Sequence, residues 1–156
     1  MPSDVVDVQA ELDAPCSSAT LFGWVEDLAD YPAWMQLVHR VEQAAPIDDD
    51  DGRPAWDVEI RARLGPLARS KRLRMVRTRH EPDSLVVFER REAARRRHSP
   101  WILTATTERR DDGSRLRVHL HYGGALWTGG LLERALGDEI ERGRTRLIEL
   151  VSGPRR

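Results

Sequence analysis

The feature that most constrains this chain is the amphipathic stretch from Thr128 to Val151, read together with what precedes it. At about 100° per residue, Leu132, Leu136, Ile140, Leu147, Leu150 and Val151 fall within an arc of about 100°, the width expected of a helix lying on a core. Arg134, Asp138 and Arg142 form an i,i+4 ladder on the solvent side, and Gly153-Pro154 supplies the stop. Gly143 sits in the middle of the apolar arc, where glycine costs roughly 1 kcal/mol relative to alanine. Two readings of it stand open: close packing against a bulky sheet residue, or room for a ligand beneath the helix. Between this helix and a short N-terminal helical region lie only strand-like segments joined by turn signals. That order predicts a curved antiparallel sheet wrapped around one closing helix, with an apolar cavity between them of the kind that holds a small molecule.

The preceding segments follow from local patterns. Val5, Val6, Val8, Ala10 and Leu12 form a first strand that ends at Asp13-Ala14-Pro15, where proline removes a ladder donor. Ser17 or Ser18 caps a helix whose Leu21, Phe22, Val25 and Leu28 recur at helical spacing. Tyr31-Pro32-Ala33-Trp34 begins a second short helix, with Pro32 at an allowed first-turn position. Val38 to Ala44 reads as strand two, and Asp48-Asp49-Asp50-Asp51-Gly52 as a solvated hairpin turn without the spaced ligands of a calcium loop. Strand three alternates most clearly, with Trp56, Val58, Ile60, Ala62 and Leu64 against Asp57, Glu59, Arg61 and Arg63. After Gly65-Pro66, strand four carries Leu73 and Met75 on one face and Arg72, Arg74, Val76 and Thr78 on the other. Strand five is Leu85 to Phe88, strand six Trp101 to Glu108. Beyond the hairpin signal Asp111-Asp112-Gly113-Ser114, strand seven alternates Leu116, Val118, Leu120 and Tyr122 with Arg115, Arg117, His119 and His121.

Composition narrows the function classes. At 156 residues the chain reads as a single domain over 1–156, with its core at about 4–151 and enough length to bury a core. A formal net charge of −1 argues against a dedicated nucleic-acid or anionic-membrane binder. One cysteine, Cys16, excludes an internal disulfide framework and fits a cytoplasmic setting. Neither a secretory signal nor an apolar run of the ~20 residues needed for a membrane span is visible. Of the 25 basic residues only Lys71 is lysine, a bias of the kind GC-rich genomes produce.

Several motifs together resemble the START-like (SRPBCC) superfamily, the helix-grip fold of Bet v 1-type and polyketide cyclase/dehydrase-like proteins. Ala14-Pro15-Cys16, then Leu21-Phe22-Gly23-Trp24-Val25-Glu26-Asp27-Leu28 and Tyr31-Pro32-Ala33-Trp34, look like the family's opening unit. Arg74-Met75-Val76 followed by Pro82-Asp83-Ser84-Leu85-Val86-Val87-Phe88 is similar to its paired middle strands. Asp112-Gly113-Ser114-Arg115-Leu116-Arg117-Val118 resembles the opening of its last strand. The resemblance implies an α+β fold: a seven-stranded curved antiparallel sheet around a long C-terminal helix, with two short helices after strand one. It further implies a hydrophobic ligand such as a polyketide, lipid or quinone, and in some members cyclisation. Aromatic polyketide cyclases tend to place an arginine and a serine on a central cavity strand, whereas strand three here offers Val58 and Ile60.

The expected pocket therefore has walls of Trp56, Val58, Ile60, Leu73, Met75, Leu103, Val118, Leu120 and Tyr122. Leu136, Ile140, Gly143 and Leu147 form its roof, and Trp34 guards its mouth. Its favoured use is binding. The enzyme alternative, a cyclase, aromatase or dehydratase, gives acid–base roles to Tyr122, Arg77 and Glu89, with Thr107 as a lesser option and Arg77 facing Glu89 across adjacent strands. No cofactor is called for: no phosphate loop or dinucleotide fingerprint is present. His119 and His121 share a face but lack a third metal ligand. A third alternative uses Arg69, Lys71, Arg72, Arg74, Arg77 and Arg79 with Arg90, Arg91 and Arg95 to Arg97 as a basic face that docks an acyl carrier protein or RNA. RNA readers interleave exposed aromatics with such residues, and Phe88 and Trp101 lie in apolar patterns instead.

Overall fold

The computed structural model describes residues 5–64, 66–92, 98–123 and 131–152, and the side chains of these except 5, 6, 62–64, 67, 69 and 131–136. Seven strands run in chain order: β1 (Val5–Ala14), β2 (Val38–Gln43), β3 (Ala55–Leu64), β4 (Leu67–Glu81), β5 (Leu85–Arg90), β6 (Trp101–Arg110) and β7 (Gly113–Gly123). They form one antiparallel sheet in the order β1-β7-β6-β5-β4-β3-β2. A short helix α1 (Ser18–Phe22) and a 3₁₀ turn (Leu28–Ala33) connect β1 to β2, and the long helix α2 (Leu131–Ser152) closes the described chain. This is the helix-grip α+β arrangement that the element order predicts. The residues expected to start and stop α2, Thr128 and Gly153-Pro154, and the turn glycine Gly65 lie outside the described residues.

Alternation decides which side of the sheet each residue takes. Trp56, Val58 and Ile60 pair with Met75, Leu73 and Lys71. Phe88 pairs with Leu103, Leu103 with Leu120, and Trp101 with Tyr122. These positions share the concave face, where Trp56, Leu73, Met75, Phe88, Trp101 and Tyr122 join the main core cluster. The convex face of the β1–β7 pair carries the polar set. Arg115 bridges to Asp13 at 2.7 Å, Arg117 to Glu11 at 3.0 Å, and His119 and His121 both reach Asp7 Oδ1, at 2.8 and 2.9 Å. The imidazoles thus share a carboxylate and hold its pKa below the ordinary aspartate value.

Three local expectations need correction. The first helix stops at Gly23, whose N–H caps back to Ala19, because Val25 and Leu28 reach the core through turns; both are buried nonetheless. The acidic run is not a solvated hairpin. Asp48–Asp50 forms a 3₁₀ turn that carries Asp50 inside, 1% exposed, onto Arg74. Arg74 clamps both carboxylate oxygens, at 2.9 and 2.7 Å, and donates to the Ala45 carbonyl at 2.9 Å. Lastly, the buried stripe of α2 is rotated from the predicted one. Leu147 is fully buried and Ile140, Ile148 and Val151 pack against the core, whereas Leu150 is 37% exposed.

Candidate functional site on the concave face

Helix α2 is fixed over the concave face by its C-terminal half. Arg144 donates to the Glu11 carbonyl at 2.6 Å and Arg146 to the Ala33 carbonyl at 3.3 Å, tying the helix to β1 and to the 3₁₀ turn. Gly143 lies against the segment after that turn. A Cβ there would sit 2.8 Å from the Trp34 carbonyl oxygen and 3.4 Å from its ring. The close approach expected of this glycine therefore exists, but its partner is a loop residue and not a sheet residue. Trp34 is not at the mouth of a pocket. It is 3% exposed, its indole N–H donates to the Trp24 carbonyl at 3.1 Å, and its ring packs 5.0 Å from Tyr31. Tyr31-Pro32-Ala33 winds into a 3₁₀ turn, and that winding tucks the indole under the helix.

Beneath this end of α2 little space is left. The void lined by Leu12, Trp34, Met35, Leu116, Val118 and Ile140 measures about 20 Å³, room for roughly one water. Farther along the concave face the packing loosens. Leu103, Val118 and Leu120 are only half-buried although they stand among core residues. Two residues along the β6–β7 ladder from Leu103–Leu120 stands the stacked pair Trp101–Tyr122, ring centroids 4.8 Å apart, and Trp56 and Met75 belong to the same core. Val58, Ile60, Leu73 and Leu147 are fully buried parts of the same core. The side chain of Leu136, assigned to the roof, lies outside the described residues.

The expected acid–base set is not assembled. Arg77 pairs with Phe88 and so faces inward, half-buried, with its guanidinium 6.0 Å from the Trp56 ring centre and donating to the Glu26 carbonyl at 3.0 Å. Glu89 pairs with Val76, on the convex side. The two therefore point to opposite faces, one residue out of register for a contact. Tyr122 is on β7, three strands from Arg77, on the order of 14 Å at the usual strand spacing. Thr107 is buried, and its hydroxyl donates to the Asp83 carbonyl at 2.9 Å, bracing the β4–β5 turn.

Two concave-face cations were missed in the sequence. Lys71 shares the parity of Leu73 and Met75 and pairs with Ile60, so it faces the core side. Arg90 pairs with Met75, and its guanidinium is held by Glu92 at 2.7 Å and by Ser99 Oγ at 3.1 Å. Burial, and then the nearby Arg90 charge, hold the Lys71 ammonium below the ordinary lysine pKa. The parity was legible; the run of arginines around Lys71 concealed it. The other basic residues do not gather on one face. Arg72 approaches Glu59 at 3.7 Å, Arg79 meets Glu81 at 2.6 Å, and Arg74 is buried. Arg95, Arg96 and Arg97 lie outside the described residues.

The sequence matches the family described as "Polyketide cyclase / dehydrase and lipid transport" over residues 5–152. The chain belongs to this family. Solved structures of START-like proteins share its fold. A START superfamily protein from Mycobacterium smegmatis is 16% identical with a TM-score of 0.68, covering 94% of this chain and 97% of the other. A Thermus thermophilus protein is 16% identical with a TM-score of 0.70, at the same coverages. An aromatase/cyclase from a Streptomyces species is 10% identical with a TM-score of 0.66, covering 95% and 94%. At these identities the likeness to other START-like structures is one of fold. No curated protein matches the sequence. Among the described residues no helix is long and apolar enough to cross a membrane.

Proposed function

We propose that the chain binds a small hydrophobic molecule of polyketide, lipid or quinone type between the sheet and the N-terminal half of α2. The observation that carries this reading is the half-buried floor of Leu103, Val118 and Leu120. Apolar side chains inside a curved sheet are ordinarily sealed, because each square ångström withheld from water stabilises by about 25 cal/mol. Three adjacent ones left partly open favour an occupant. Catalysis is the weaker reading, since Tyr122, Arg77 and Glu89 do not converge on a common point. Delivery by an acyl carrier protein has less behind it, because the basic face invoked for it is interleaved with acids.

The test is titration with Nile red, a neutral dye, on the parent and on Leu103→Trp and Leu120→Trp, which would fill the floor. Dye binding by the parent, weakened tenfold or more in folded variants, is the expected result. Parent protein that binds no dye, or variants that bind it as well, would end the pocket reading. Native mass spectrometry of the protein as purified then reports any retained ligand. Tyr122→Phe separates binding from chemistry on that ligand. Loss of one neutral hydrogen bond costs on the order of 1 kcal/mol, so its affinity changes by less than about tenfold. A turnover that falls a hundredfold in the variant, the size of effect typical of a general acid (about 10²–10⁴-fold), would promote the enzyme reading instead.

A further inference from the structure

The concave face carries one buried polar group that the fold leaves unserved. Trp101 opens β6 and pairs with Tyr122, two residues along the ladder from the Leu103–Leu120 pair and on the same face. It is 4% exposed, its indole nitrogen is buried, and its N–H meets no acceptor among the described residues. Trp34, equally buried, shows the ordinary outcome: its indole N–H donates to the Trp24 carbonyl at 3.1 Å. A buried donor without an acceptor has given up its bond to water and received nothing for it. The ring is stacked on Tyr122, so turning the N–H out to water would break that stack.

The charges nearest in the ladder are already balanced. Arg90 pairs with Met75 and follows Glu89, the partner of Ile102, which places it beside Trp101 in strand order. Its guanidinium donates to Glu92 at 2.7 Å and to Ser99 Oγ at 3.1 Å, and the same Glu92 oxygen accepts from the Arg74 amide at 3.2 Å. Cation and carboxylate thus answer one another. What Trp101 lacks is an acceptor, and its neighbours call for no further counter-ion.

We infer that Trp101 is a specificity-determining residue of the pocket: its N–H donates to a neutral carbonyl oxygen of the ligand, whose apolar body lies on the Leu103–Leu120 floor. The inference rests on the pocket proposed above. Two residues along a strand span about 7 Å, so one small molecule can cover the floor and meet the indole. A carbonyl oxygen supplies lone pairs without bringing a donor that would itself need a partner. A carboxylate would leave water with no counter-ion waiting for it, since Arg90 is held by Glu92. The ligand class narrows accordingly from hydrophobic molecules at large to ketones and quinones.

The experiment compares fluorenone with fluorene, which share a three-ring body and differ in the carbonyl, by displacement of Nile red. The parent is expected to bind the ketone about tenfold or more tightly than the hydrocarbon, the scale of satisfying one buried donor. Trp101→Phe keeps an aromatic ring, removes the N–H and should abolish the preference; circular dichroism checks that it is folded. If it is not, benzothienylalanine in place of Trp101 keeps the bicyclic shape with sulfur where the N–H was, and the same loss is expected. Equal binding of ketone and hydrocarbon by the parent overturns the inference while leaving the pocket intact. So does a ketone preference that survives loss of the N–H, however far both affinities fall, because that pattern marks a packing role alone. A parent that binds the dye but not fluorenone overturns it as well. A parent that binds neither compound nor the dye overturns the pocket and the inference together.

Discussion

At the scale of single residues, two glycines on one helix make opposite predictions. Gly143 faces Trp34, and the atom a Cβ would meet at 2.8 Å is a backbone oxygen that cannot swing away. Gly137, on the same helix, has nothing within 4 Å of its Cβ position. Alanine gains up to about 1 kcal/mol over glycine inside a helix wherever it fits. Gly137→Ala is therefore expected to stabilise by up to that amount. Gly143→Ala is expected to destabilise by about 1–3 kcal/mol, the usual cost of overpacking. Urea unfolding midpoints compare them directly, and a Gly143→Ala protein as stable as the parent would mean that helix and turn are not in contact. The sequence revealed Gly143 as an anomaly in an apolar arc. It did not reveal the neighbour, because Trp34 is far away in the chain and its inward position depends on a 3₁₀ turn that periodicity does not register.

At the scale of elements, the turn Asp48–Asp50 and strand β4 are joined by one buried ion pair. Removing one partner of such a pair leaves an uncompensated charge and costs about 3–5 kcal/mol. Asp50→Asn is expected to fall in that range by denaturant unfolding, against little change for the exposed Asp49→Asn. The pH dependence has a definite sign. The Arg74 guanidinium holds the Asp50 carboxyl below its ordinary value of 3.8. Its contribution is thus complete above that value and is lost as pH falls through the lower, folded-state pKa. Parent and Asp50→Asn should converge in stability as acid is added; a gap that stays constant to pH 2 would refute the assignment. Four consecutive aspartates look alike in sequence, and only the pairing of Arg74 across the sheet singles out the third. The faces of β3 and β7 were legible, since alternation there is unbroken. The β4–β5 ladder was less so: only its register, Val76 against Glu89 and Arg77 against Phe88, shows that Arg77 and Glu89 end on opposite sides.

At the scale of the whole molecule, the architecture was legible because it depends on coarse signals: seven alternating segments, short helices in one connection, and one long amphipathic helix. The pocket was less legible, because its depth is set by how far Trp34 and Met35 fill the space beneath α2. A ligand that enters this space stabilises the entire fold by mass action, by about 2.7 kcal/mol at a hundred times its dissociation constant. Thermal unfolding should accordingly shift upward with the concentration of a hydrophobic ligand such as Nile red; an unmoved transition at saturating dose would contradict binding to the native state. The sheet order has another consequence, in time. Among the described residues strand β1 pairs only with β7, Val5 facing Gly123, so during synthesis β1 waits for about a hundred later residues or more before it finds its partner. At about 5–20 residues per second that interval is on the order of seconds. Such sequence-distant pairing slows folding. During the delay the apolar side of β1 is without its permanent cover, a surface open to chaperones until β7 is made.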